Sequence, residues 1–129
     1  MTTSSPHTLN QIGQIAFQVD DLDRATDFYK NTLGLKHLFT LPPTFSFFDC
    51  DGVRLLLGLP EKNQQRTKSI PVYFKVDDIN ETFAQLSERG VQFTGPPHFV
   101  AELSDHTLWM TQFQDSEGNT LLLMSEVTK

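Results

Sequence analysis

The sequence predicts an α+β fold built from two tandem copies of one strand–helix–strand–strand–strand unit, a βαβββ module. Two repeated motifs in matching order carry that prediction. Phe17-Gln18-Val19-Asp20-Asp21 recurs as Phe74-Lys75-Val76-Asp77-Asp78, and Phe47-Phe48-Asp49-Cys50-Asp51-Gly52 recurs as Phe113-Gln114-Asp115-Ser116-Glu117-Gly118. Each second motif runs into an apolar stretch, Leu55-Leu56-Leu57 and then Leu121-Leu122-Leu123. Two spaced matches in one order indicate an internal duplication.

Residues 1–9 are polar and read as a flexible tail, followed by a single domain over 10–126. Module one spans 10–60, a polar linker 61–69, and module two 70–126. From Gln11 to Val19 the chain alternates, with Ile15, Phe17 and Val19 on one face and Gln14, Ala16 and Gln18 on the other. Asp20 or Asp21 is placed to cap the next helix, because a carboxylate accepts hydrogen bonds from its free N–H groups. Leu22, Ala25, Tyr29 and Leu33 recur at helical spacing, and Gly34 supplies the left-handed stop. Strands follow at 35–41, 45–48 and 53–59, with Pro42-Pro43 between the first two and an Asp51-Gly52 hairpin turn between the last two.

Module two repeats the plan with a strand at 71–76 and a helix on Ile79, Phe83 and Leu86. Asp78 and Glu81 have the spacing of a capping box, and Gly90 ends the helix. Strands are predicted at 91–94, 98–102, 107–113 and 120–124. Module two carries ten extra residues between its helix stop and its hairpin, among them His98 and His106. A sheet of this kind buries one face under its helix and leaves the other curved and free. Two copies packed edge to edge would form a curved, cup-like mixed sheet with helices on the outer face.

Composition narrows the function classes. The 129 residues suffice for one domain with a core that needs no disulfide or metal staple. A net charge of −6 argues against nucleic acid, whose phosphates demand clustered Lys and Arg. The lone cysteine, Cys50, excludes an internal disulfide and fits a reducing compartment. No run is long enough to cross a bilayer, and the opening residues lack the basic head and apolar stretch of a signal peptide. The expectation is a soluble cytoplasmic protein with no membrane partner.

The chain resembles the vicinal oxygen chelate superfamily, which includes glyoxalase I, bleomycin and fosfomycin resistance proteins and extradiol dioxygenases. The resemblance covers roughly Ile12 to Glu126. It rests on the segment Ile12 to Leu22, on Phe28-Tyr29 and Leu33-Gly34-Leu35, and on Asp115 to Leu121. Metal-dependent members place His or Gln, Glu, His and Glu on the free faces of four strands. Carried over, those positions fall on Gln14, Leu56, Pro71 and Leu122. Leu and Pro offer no lone pair to a cation, so no metal and no other cofactor is expected.

The resemblance also implies a cup that binds a small organic ligand, in a protein that often forms homodimers. Residues with cup-facing parity are the candidates: Gln14, Arg54, Leu56, Pro71, Tyr73, Met110, Gln112, Leu122 and Met124. Gln14 is either a ligand-orienting amide or a polar group bonded to neighbouring strands. Arg54 and Lys75 are placed to hold an anion, or to carry their charge into water at strand ends. The apolar members equally suit a dimer contact. His98 and His106 are the candidates for a catalytic base. Asp49 and Asp115 read as equivalent turn residues, and Phe48 with Trp109 as an aromatic pair near the cup mouth that parity disfavours for Trp109.

The leading reading is a metal-independent binder acting by sequestration, in the manner of bleomycin resistance proteins. The alternative is a glyoxalase- or dioxygenase-type lyase, isomerase or oxygenase with an unorthodox His-based site. Only that alternative requires a divalent metal.

Overall fold

The computed structural model describes residues 7–129. Most of the expected tail lies outside the described residues. Module one comprises β1 (Gln14–Gln18), α1 (Leu22–Asp27), β2 (Lys36–Leu41), β3 (Phe45–Cys50) and β4 (Val53–Gly58). A π-helical segment, Phe28–Thr32, continues α1. Module two comprises β5 (Val72–Lys75), α2 (Ile79–Glu88), β6 (His98–Glu102), β7 (His106–Gln114) and β8 (Thr120–Thr128). The fold is α+β, with two βαβββ modules.

The eight strands form two four-stranded sheets of identical plan, β1-β4-β3-β2 and β5-β8-β7-β6. In each, the first strand runs parallel to the last and the other pairings are antiparallel. Even the irregularities repeat. The outer strands β2 and β6 each shift register once, between His37 and Phe39 and between Phe99 and Ala101.

Local chemistry explains the boundaries. Asp21 accepts the Arg24 N–H at 3.0 Å and Asp78 accepts the Glu81 N–H at 3.1 Å, so both helices start on an aspartate cap. The capping box is only half made, because the Glu81 carboxylate accepts from Gln85 instead. Asp51 (φ 50°) and Gly52 (φ 92°) form the primed turn joining β3 to β4. The strand predicted at 91–94 shrinks to one bridge, Phe93 with Phe113. Gly95-Pro96-Pro97 follow it at once, and proline cannot donate to a ladder.

Helix-side residues of both sheets join one core, including Phe17, Tyr29, Phe48 and Leu57 from module one with Phe113, Leu121 and Leu123 from module two. Strand alternation therefore assigns the opposite face of each sheet to the outside. No helix among the described residues is long and apolar enough to cross a membrane.

Candidate functional site

The free face of the first sheet can be read row by row from its register. One row runs Ala16–Leu56–Phe47–Phe39, the next Gln18–Gly58–Phe45–Leu41, and a third Gln14–Arg54–Asp49–Lys36. Phe39 and Phe47 stack with ring centroids 4.6 Å apart, and the Arg54 guanidinium lies 5.6 Å from the Phe47 centroid. Gly58 has no side chain for a reason. A Cβ there would stand 3.1 Å from the Phe45 ring, which lies against the bare backbone. A cleft of about 480 Å³ opens over Ala16, Leu56 and Gly58, with Phe45 as its wall and Pro60, Glu61 and Lys62 also lining it, the last two of opposite charge.

On the second sheet the rows are Tyr73–Leu122–Gln112 and Lys75–Met124–Met110–His98. Pro71 and Tyr73 are exposed, and Leu122, Met110, Gln112 and Met124 are half-buried. The structure therefore sets eight of the nine ligand candidates on free faces, three on the first sheet and five on the second, and leaves Pro71 exposed just before β5. The cleft draws its lining from the first sheet and the segment after it, and Leu56 alone of the nine lines it.

The two cations differ. Lys75 is engaged with Glu126 at 2.7 Å, and that contact raises the ammonium's pKa while holding the Glu126 carboxyl below its usual range. Arg54 has no carboxylate within ion-pair distance among the described residues.

His98 and His106 do not form a pair. Both sit on the free face, but His98 pairs with Met110, which lies four positions from His106 along β7, or about 13 Å at strand rise. Two carboxylates flank His106. Its Nδ1 contacts Asp105 at 2.7 Å, which lowers the Asp105 pKa. Its buried Nε2 lies 3.1 Å from Glu126, off the line of a hydrogen bond.

The family model described as Glyoxalase/Bleomycin resistance protein/Dioxygenase superfamily matches residues 11–123. The chain belongs to this superfamily. It is 28% identical over 126 residues to the uncharacterized protein YetH of Bacillus subtilis (strain 168), covering 89% of this chain and 98% of that protein. A superfamily member from Sphaerobacter thermophilus DSM 20745 is 31% identical with a TM-score of 0.76, over 92% of this chain and 98% of the other. TnmS3, an antibiotic binding protein from Streptomyces sp. CB03234, shares the fold at 22% identity and a TM-score of 0.72, over 92% and 97% of the two chains.

The superfamily's metal positions are tested by the side chains that occupy them here. Gln14, Leu56 and Leu122 lie on free faces, Pro71 is exposed just before β5, and Leu55, Leu57, Leu121 and Leu123 are buried. A register shift of one residue would exchange these sets and expose the core, so the leucines cannot be aligned away. One amide oxygen among apolar side chains does not fit a divalent cation. Among the described residues no three His, Cys, Asp or Glu side chains gather as ligands.

Two readings of individual residues are corrected. Phe48 is fully buried and cannot stack at a cup mouth, whereas its neighbour Phe47 occupies the free face. Asp49 and Asp115 are not equivalent. Asp49 pairs with Arg54 across four intervening residues, whereas the corresponding pair Gln114 and Thr120 encloses five. The extra residue turns Asp115 inward, where it accepts from the Tyr29 hydroxyl at 2.6 Å and from the Glu117 and Asn119 N–H groups. Burial, and then the Asp115 charge, push the Tyr29 phenol far above its usual range. Cys50 is no activated nucleophile, since burial, Asp49 and Asp51 all raise its pKa. Ser46 Oγ lies 3.5 Å from His37 Nε2 with Thr40 between them, and its hydroxyl is sealed in the core.

Glu117 was not singled out in the sequence. Its carboxylate accepts the Asp20 and Asp21 N–H groups, each at 3.0 Å, and both arms of Arg24 at 2.7 and 3.0 Å. Burial opposes its ionisation, but Arg24, the Asp21 N–H, Ser116 and the Asp20 N–H prevail and hold its pKa at about 2. This carboxylate latches the second hairpin to the start of α1. The only signal was the Glu standing in the turn where module one has Asp51.

Proposed function

We propose that this protein binds a small organic molecule on the free faces of its sheets without a metal, by sequestration rather than bond making. The observation carrying the reading is the pair Leu56 and Leu122. Each occupies the centre of a free face where a metal-dependent relative needs a carboxylate. Around them the faces offer aromatic rings and methionines with a few polar points, the usual make-up of a small-molecule pocket. Burial of about 200 Å² of apolar ligand surface at ~25 cal/mol per Å² supplies around 5 kcal/mol before ordering costs. The fold shared with an antibiotic binding protein agrees with this reading.

The working form is a homodimer in the cytoplasm, with Cys50 reduced. Phe39, Leu41, Phe45 and Tyr73 are 38–52% exposed on the free faces of the single chain. Covering them with a second copy encloses the ligand and removes apolar surface from water. Native mass spectrometry of protein purified without chelator or affinity tag tests both points. The expected result is a dimer with no metal mass that retains small organic adducts. A stoichiometric divalent metal, lost on replacing His98 or His106, would overturn the reading.

A second reading follows from His106 between Asp105 and Glu126. In it the imidazole serves as the base of a metal-free isomerase or lyase. His106→Gln separates the two, because it removes turnover under the second reading and leaves binding intact under the first.

A further inference from the structure

We propose that the ligand of the first sheet's free face is a planar aromatic molecule carrying an anionic group, with its ring in the cleft over Ala16 and Leu56 and its charge on Arg54. The proposal rests on the binding function above and assigns its chemical class.

Three observations converge on it. The cleft has a floor of small or flat surface, Ala16 and Gly58, and an aromatic wall, Phe45, so its shape suits a ring rather than a branched chain. The Arg54 guanidinium carbon lies 5.6 Å from the Phe47 ring centroid, and its N–H fork is unspent on any carboxylate among the described residues. Such a fork matches the two oxygens of a carboxylate or sulfonate. Finally, Arg54 and Leu56 are alternate residues of one strand on the same face, about 6.6 Å apart at strand rise. A ring lying over Leu56 and a guanidinium rooted two residues away on the same face are therefore neighbours, within the combined span of a bicyclic acid and the Arg54 side chain. Asp49 beside Arg54 offsets part of its charge, and Lys36 in the same row restores it.

The pattern belongs to this face alone. Strand register sets Thr120 opposite Arg54 in the duplication, Gln112 opposite Phe47, Tyr73 opposite Ala16 and Met124 opposite Gly58. The second sheet therefore lacks the small floor, and its free-face lysine, Lys75, is spent on Glu126.

The test is isothermal titration calorimetry of the full chain with 2-naphthoate, 2-naphthamide and 2-naphthylmethylammonium. The expected order is naphthoate at least tenfold tighter than the amide, with the cation weakest. Arg54→Met should erase the preference for the acid while leaving the amide within twofold. Arg54→Lys should retain part of the preference, since the charge stays and the fork is lost. Gly58→Leu should weaken all three by filling the cleft, with circular dichroism confirming the fold. Equal binding of acid and amide, or an Arg54→Met variant that keeps the preference, overturns the anion assignment and leaves small-molecule binding standing. Absence of binding by every probe overturns this proposal, and adducts in native mass spectrometry then decide whether the broader function survives.

Discussion

Replacing Glu117 with Gln keeps the shape of the inter-module latch and removes its charge. The side chain is fully buried, whereas Arg24 opposite it is 55% exposed, so the carboxylate is the desolvated partner and carries the effect. Its pKa is held at about 2 against an ordinary 4.5. At ~1.36 kcal/mol per tenfold change in ionisation, this difference corresponds to about 3 kcal/mol of folding stability at neutral pH. A depressed carboxylate stabilises above its unfolded pKa, and the contribution fades as pH falls through the folded value. Wild type should therefore exceed E117Q by about 3 kcal/mol from pH 6 to 8, with the gap closing between about pH 4.5 and 2. For a domain of this size the gap amounts to roughly 10 °C in Tm. Thermal denaturation followed by circular dichroism across that pH range is the assay. A gap that stays constant down to pH 2.5, or one under 1 kcal/mol at pH 7, would refute the ionised latch.

Tyr29→Phe removes the hydroxyl donating to Asp115 and should cost about 1–3 kcal/mol in urea denaturation, because a buried acceptor loses a partner. An unchanged midpoint would show that the bond is not formed in solution. Asp78→Ala should cost about 1 kcal/mol by uncapping α2, read by the same denaturation, and no loss would discount the cap. The triple change Leu56→Glu, Leu122→Glu and Pro71→His should create transition-metal affinity beside Gln14, measurable by calorimetry. A well-folded triple variant with none would sink the assignment of those four positions.

Faces and boundaries were legible in the chain because their causes are local. Alternation placed Leu56 and Leu122 opposite the buried leucines beside them, and that placement needs only the period of two in a strand. Aspartate caps and left-handed glycines likewise act within four residues of themselves. Upstream of the second turn the two hairpins are offset by one residue, which the repeated motif hides. An added turn residue leaves no mark in a motif that still begins with Phe and ends with Gly.

By itself, then, the amino-acid order determined the duplicated modules, the face each strand residue takes, and the lack of metal-binding side chains at the superfamily's positions. Only the tertiary structure decided the rest. It separated the strands into two sheets, spent Lys75 on Glu126 while leaving Arg54 over a phenylalanine, and turned Asp115 and Glu117 toward Tyr29 and Arg24. The pairings of Lys75, Asp115 and Glu117 join residues 51 to 93 positions apart. Hydrophobic period and turn chemistry report on near neighbours, whereas the partner of a buried charge is set by whichever distant segment the packed core brings against it.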